Sequence, residues 1–209
     1  MFDSARFAVF LGAALLLAIA PGPGMLYVLA RSLAGGRREG FLSALGTFLG
    51  GMVHVFAAAA GVSIVLAKSA LAFATVKYFG AAYLCFLGVR MILDARKDEQ
   101  VSVSALRPAG SPFWQGVMTE VLNPKTALFF LSFIPQFVDR THGHIFEQFV
   151  LLGAISVTLN TTADIIVTML AGQLGQRIRE SARFRRRQRT ATGAIMIGLG
   201  AYLALGESR

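Results

Sequence analysis

Cysteine is nearly absent from this chain of 209 residues. Cys85 stands alone, so no internal disulfide can form and no redox compartment can be inferred from it. Within an apolar run it reads as a small buried residue. Charge is scarce as well: 15% of residues are charged, where a soluble domain carries roughly 25%. With 55% hydrophobic residues and a mean hydropathy of +0.62, an ordinary soluble domain is excluded. Nor do acids and cysteines cluster in the apolar runs as a metal site would require.

What is present is a series of long apolar segments. Residues 7–30 and 190–206 carry no charge, 41–67 contain only His54, and 69–89 contain only Lys77. Residues 113–138 contain Glu120 and Lys125, and 148–176 contain only Asp164. A membrane-spanning helix needs about 20 residues, so the pattern predicts an all-α polytopic membrane protein with six transmembrane helices. The whole chain, 1–209, reads as one transmembrane domain. Ala18-Ile19-Ala20 imitates a signal-peptidase site, but Pro21 opposes cleavage, so residues 1–30 read as a mature first helix.

Basic residues set the orientation, because they accumulate on the cytoplasmic side. With both termini outside, fourteen lie in the segments 31–40, 90–112 and 177–189, and five lie outside; Lys125 falls within the membrane and is not counted. The same loops explain the net charge of +9 and a pI near 10.6. Seven arginines between 177 and 189 form a juxtamembrane cluster suited to anionic lipid headgroups, and no nucleic-acid partner is expected.

Residues 94–112 form the longest polar connection and read as a cytoplasmic linker between a first half, 1–93, and a second, 113–209. Three spans in each half would give a 3+3 inverted repeat. Two proline breaks support that arrangement: Pro21-Gly22-Pro23-Gly24 in helix one and Asn123-Pro124-Lys125 in helix four. In hydrocarbon a freed backbone group costs several kcal/mol, so broken helices persist only where they line a cavity or are buried in protein. Asn is a favoured N-cap and Pro a favoured first helical residue, so a helix is expected to start inside the membrane after Asn123. Each new start brings unpaired N–H groups and a positive dipole end into the interior, which suits an anionic group such as a carboxylate. The competing reading is that the prolines only kink packed helices.

Asp164 is the most informative single side chain. An acid at the centre of a span costs roughly 2.5–3.5 kcal/mol on insertion scales and usually marks a substrate, ion or proton path. Ser156, Asn160, Asp164, Thr168 and Gly172 recur along one side of its helix, which as a packing seam accounts for the neutral members but poorly for the acid. Gly46 and Gly50 form a GxxxG that admits a close helix, and His54 on the same side either exchanges protons or sits neutral against a backbone carbonyl. Glu120 and Lys125 flank the second break as an ion pair, as substrate contacts, or nearer the inner interface. His142 and His144 make a poor metal site. Tyr27, Trp114, Phe129 and Phe130 read as interfacial, lipid-facing or packing aromatics.

Taken in order, these elements resemble the LysE/RhtB family of bacterial amino-acid exporters over nearly the whole chain. The match runs through Pro21-Gly22-Pro23, Gly46-x3-Gly50-x3-His54 with Gly61, Gly80-Ala81-Ala82-Tyr83-Leu84 with Gly88, and Asn123-Pro124-Lys125-Thr126-Ala127-Leu128-Phe129-Phe130 running on to Pro135-Gln136-Phe137. It continues through Asp164 and then Gly193, Gly198 and Gly200. The resemblance implies an inner-membrane secondary transporter exporting amino acids or close derivatives, coupled to protons, with no cofactor. Alternatives are a metal-ion or other small-solute exporter of the same superfamily, a polytopic membrane enzyme, or a non-transporting subunit. The expected substrate-binding residues are Pro21, Gly22, Pro23, Gly24, Asn123, Pro124, Lys125, Thr126, Asn160 and Asp164; the proton-coupling candidates are Asp164, His54 and Glu120. A homo-oligomer is compatible with the sequence.

Overall fold

A computed structural model describes residues 4–68, 70–95, 110–139, 143–171 and 182–205, and among them regular structure is helical throughout. The helices are α1 (Ser4–Ile19), α2 (Pro23–Lys68), α3 (Ala70–Asp94), α4 (Pro112–Val121), α5 (Pro124–Leu128), α6 (Ile145–Met169) and α7 (Ala182–Leu205). After α5 the chain continues as a π turn, Phe129–Phe133, and a 3-10 turn, Ile134–Phe137. Pro135 has no N–H to close an α-turn, and the widened and tightened turns around it absorb that missing donor.

Both predicted breaks are present. α1 closes with the Ala20 N–H donating to Leu16 O, and α2 opens with Leu26 N–H donating to Gly22 O. Pro23 occupies the first position of α2 and Pro124 that of α5. Between α4 and α5 the chain bends by 47°.

The predicted inner loop over 31–40 is corrected. Helix continues on both sides of a single non-helical residue, Gly36, at φ 76° and ψ −172°. Residues eight apart in an unbroken helix lie about 12 Å apart along the axis. Here Ser32 lies against Gly40, and Arg31 reaches Glu39 at 3.0 Å, so the chain reverses at Gly36 into two antiparallel legs. The left-handed φ is open to glycine at little cost, which is why one residue suffices where a loop was expected. The basic cluster at 177–189 is also redrawn. Residues 182–189 form the first two turns of α7, since Arg and Gln extend a helix readily. Residues 177–181, and 96–109 of the predicted linker, lie outside the described residues, as do His142 and Gly172.

By length and apolarity, Pro23–Gly61, which holds the Gly36 reversal, and Ile145–Met169 each contain a stretch able to cross a membrane, and the bent pair Pro112–Val121 with Pro124–Phe137 makes a third. Shorter apolar helices cover Arg6–Ile19, Ala81–Arg90 and Thr190–Tyr202.

Glycine sets the closest helix contacts. A Cβ on Gly46 would strike the Phe113 carbonyl, one on Gly50 would meet Val117 O, and one on Gly116 would meet Ser43 O, so the Gly46/Gly50 motif seats α2 on α4. α3 and α7 meet through Gly88 and Gly193, each lying on the other's carbonyl oxygen. Close approach of small residues replaces hydrophobic burial as the packing device where the surroundings are apolar too. A ladder of rings fills the middle: Phe129 stacks on Phe133 at 5.0 Å, Phe133 meets Phe137 at 4.8 Å, and Phe137 meets Phe10 of α1 at 5.5 Å. Val55 and Ala59 of α2, with Phe149 and Leu152 of α6, complete this core. It holds the two breaks against each other.

Candidate functional site

The two interruptions meet in one cavity. The first contributes Leu17, Ala18, Ala20, Gly22, Gly24 and Met25; the second contributes Glu120, Asn123, Lys125 and Thr126. Thr47 and Gly51 of α2, the rings of Phe129 and Phe130, and Val157, Asn160, Thr161 and Asp164 of α6 close the rest.

The second break satisfies the first. Pro21 cannot donate to Leu17 O, the carbonyl four residues back, so that acceptor is left open at the end of α1. The Lys125 ammonium takes it, donating to Leu17 O at 3.3 Å and to Ala20 O at 2.9 Å. An ammonium at a helix C-terminus also meets the negative end of the dipole. Gly22 leaves room for this side chain, since a Cβ there would lie 3.0 Å from Nζ. Gly24 does the same for Glu120, whose Oε2 lies where a Cβ at residue 24 would come into contact.

Glu120 is held from α5. Its Oε1 accepts from the Thr126 hydroxyl at 2.6 Å and its Oε2 from Asn123 Nδ2 at 3.1 Å. Asn123 Oδ1 in turn accepts the Lys125 N–H at 3.1 Å, which fixes the orientation of that amide. The expectation of open N–H groups after both breaks is therefore corrected on one side, where Asn123 caps the N–H following Pro124. At the other, Gly24 and Met25 belong to the first turn of α2, whose N–H groups have no intrahelical partner, and both line the cavity.

Across the cavity stands Asp164, buried on α6, with Oδ2 accepting from Thr47 Oγ1 at 3.0 Å. Its second oxygen has no hydrogen-bond partner among the described residues. Asn160, one turn earlier, donates to Ser156 O. The cavity thus gathers one ammonium, two carboxyl groups and the open first turn of a helix, beside the apolar walls of Met25, Phe129, Phe130 and Val157. That set offers N–H donors to an anionic group and an open carboxyl oxygen to a cationic one.

Of the residues expected from sequence to bind substrate, Gly22, Gly24, Asn123, Lys125, Thr126, Asn160 and Asp164 line the cavity, and Pro21, Pro23 and Pro124 do not. The prolines shape the backbone that the others use. Among the three proton-coupling candidates, Asp164 and Glu120 line it. His54 stands behind the wall, its Nε2 donating to the Glu120 carbonyl at 2.9 Å and its ring stacked on Phe130. Glu120 and Lys125 make no direct ion pair; Lys125 bonds to the first break, and Glu120 bonds within the second while its carboxylate lies against Gly24 of the first. Thr47, Met25 and Thr161 were not anticipated. Thr47 had a signal, as the polar residue inside the Gly46–Gly50 motif, but its partner lies 117 positions away.

A second polar layer lies at the Gly36 turn. Arg31 is buried, donating to Glu39 at 3.0 Å, Gln115 Oε1 at 2.7 Å and the Gly110 carbonyl at 3.0 Å. Tyr27 accepts from Arg31 Nε and donates to Pro112 O at 2.9 Å, so this aromatic is a fastening between α2 and α4.

The model of the LysE type translocator family matches residues 15–207. An uncharacterized membrane protein of Vibrio cholerae is 31% identical over 199 residues, covering 95% of this chain and 96% of its own. One of Pseudomonas aeruginosa is 36% identical over 195 residues, 88% of each chain. A leucine efflux protein of Salmonella typhimurium is 32% identical over 158 residues, 75% of this chain and 71% of its own. No solved structure matches the chain. With the family pattern spanning both breaks, the glycine seams and Asp164, this chain belongs to the LysE-type translocator family.

Proposed function

We propose that the protein exports an amino acid or close derivative across the bacterial inner membrane by proton antiport with alternating access. The observation that carries this reading is the shared cavity, lined by both the open first turn of α2 and Asp164. The substrate carboxylate binds the Gly24 and Met25 N–H groups. Asp164 takes the substrate ammonium or a proton in turn, and that exclusion couples the two fluxes. Asn160 and Thr126 lie beside this path, and Lys125 holds the end of α1 in place. The name of the leucine efflux relatives supports an amino-acid cargo.

The fold behind this cycle is a 3+3 inverted repeat. Helix one is α1 with residues 23–35, helix two is residues 37–68, and helix three is α3. The second half repeats the order with α4 to the 3-10 turn, α6 and α7. Reciprocal seating of Gly88 on Gly193, one from the third helix of each half, supports the symmetry. Both termini lie outside, the segments 94–112 and 177–189 inside, and the arginines of the latter contact anionic lipid.

Counterflow in proteoliposomes tests the reading. Vesicles loaded with one unlabelled amino acid should accumulate the same labelled compound for at least one member of a panel of the twenty. Absence of counterflow for all of them, in protein that is folded and inserted, would overturn it.

A further inference from the structure

The glycines of the first break and the charges of the second are matched one to one. Gly22 receives the Lys125 ammonium and Gly24 receives the Glu120 carboxylate, each in space that a Cβ would fill. Lys125 satisfies the carbonyls that end α1. Glu120 brings its carboxylate to the first turn of α2, the same turn that offers unpaired N–H groups to a substrate carboxylate. Both of its oxygens accept hydrogen bonds, from Thr126 and Asn123, so the group is held in place. No bond from Gly24 or Met25 N–H to Glu120 forms, so the carboxylate sits against the positive end of the helix without consuming its donors.

We propose that Glu120 is a resident stand-in for the substrate carboxylate: it occupies the anionic position at the start of α2 while the carrier is empty, and an arriving amino acid displaces it. The inference rests on the amino-acid reading of the cavity and assigns Glu120 a specificity role that neither the break nor the family membership gives it. A carboxyl group fixed at that helix end neutralises the dipole in the empty carrier. Like charges exclude each other, so an incoming carboxylate competes with it directly. A cargo lacking a carboxylate feels no such competition. Glu120 therefore acts as a positioning residue that sets the threshold for binding, with Asn123, Thr126 and Gly24 as its socket.

The test is Glu120→Gln, which keeps the shape of the side chain and an acceptor oxygen for Asn123 Nδ2, turns its other bond into a donation to the Thr126 hydroxyl, and removes its charge. Equilibrium affinity is measured for L-leucine, or for the strongest member of the counterflow panel, and for the carboxamide of the same amino acid. The variant should bind the amino acid about fivefold more tightly or better, the scale of a charge at a partly buried helix end, with the carboxamide changed less than twofold. Equal or weaker binding of the amino acid, or an equal gain for both ligands, overturns the proposal. Should the Gln variant fail to fold, Thr126→Val removes the 2.6 Å bond that pins Oε1. It should shift the same ratio in the same direction, and an unchanged ratio again overturns the proposal. Failure of the wild-type protein to bind any amino acid instead removes the functional reading beneath it, a separate outcome.

Discussion

Replacing Lys125 by Met removes the donor that closes α1 while keeping an unbranched apolar stem of similar length. Two carbonyls lose their partner, Leu17 O at 3.3 Å and Ala20 O at 2.9 Å. Leu17 O has no replacement within the helix, because the residue four positions on is Pro21. A stranded buried acceptor costs about 1–3 kcal/mol, and the longer of the two bonds belongs at the low end. Removing a buried ammonium also relieves its own desolvation, but Glu120 and Asp164 then face the cavity without their nearby cation. The balance is a loss of about 2–4 kcal/mol. At about 2–4 °C per kcal/mol for a chain of this size, the melting temperature falls by about 4–16 °C. Cys85 provides the readout. It is the chain's sole thiol and packs against Gly200 between α3 and α7, so a thiol-reactive dye in detergent reports their separation. Lys125→Arg should not restore stability, because the space at Gly22 is already filled by the lysine. A Met variant melting within about 1 °C of wild type would refute the role of Lys125 as the cap of α1.

Three further outcomes follow from the same geometry. Gly46→Ala, which drives a Cβ into the Phe113 carbonyl, should cost at least about 1–3 kcal/mol, whereas Gly61→Ala, with open space around it, should be neutral or slightly stabilising; paired melting curves compare them. Arg31→Met removes a buried guanidinium from Glu39, Gln115 and Gly110 O, and should cost about 1–3 kcal/mol, less than a fully buried pair because Glu39 is one-third exposed; denaturation in detergent measures it. Single cysteines placed between 177 and 189 in a Cys85→Ser background should react with a membrane-impermeant reagent only when the cytoplasmic face is opened, and labelling from outside would invert the topology.

Much of this architecture was legible in residue chemistry. Proline has no N–H wherever it occurs, so Pro21, Pro23 and Pro124 located both breaks, and Asn123 announced its cap. An acid in an otherwise apolar run is expensive wherever it faces, so Asp164 marked the cavity. Gly46 and Gly50 marked a close helix contact without saying that α4 was the partner. What stayed hidden was relational. An ion pair was one of three readings for Lys125 and Glu120, five residues apart, yet Lys125 bonds to the first break and Glu120 to its own, and only folding brings Lys125 to carbonyls about a hundred positions distant. Thr47 showed only as a polar residue inside the Gly46–Gly50 motif, and its partner Asp164 was hidden for the same reason. The turn back between helices one and two was expected as a loop over 31–40 because its basic residues look like one, where Gly36 alone makes it. Arg31 in fact spends its charge on Glu39, Gln115 and a backbone carbonyl, so its presence beside a turn did not mean exposure.

Gradient-driven efflux from proteoliposomes, run in parallel on wild type and Asp164→Asn, tests the central claim most directly. Asn keeps the side-chain size and an oxygen for the Thr47 hydroxyl, but it cannot exchange a proton and offers the substrate ammonium a neutral acceptor in place of a charged one. The charged bond is worth about 1–2 kcal/mol more, so substrate affinity should fall by about 5–30-fold. At saturating substrate, counterflow should persist in the variant while efflux against a concentration gradient, driven by an imposed pH difference, disappears. Wild-type protein should perform both. Uphill efflux by the Asn variant at the wild-type rate would contradict the account.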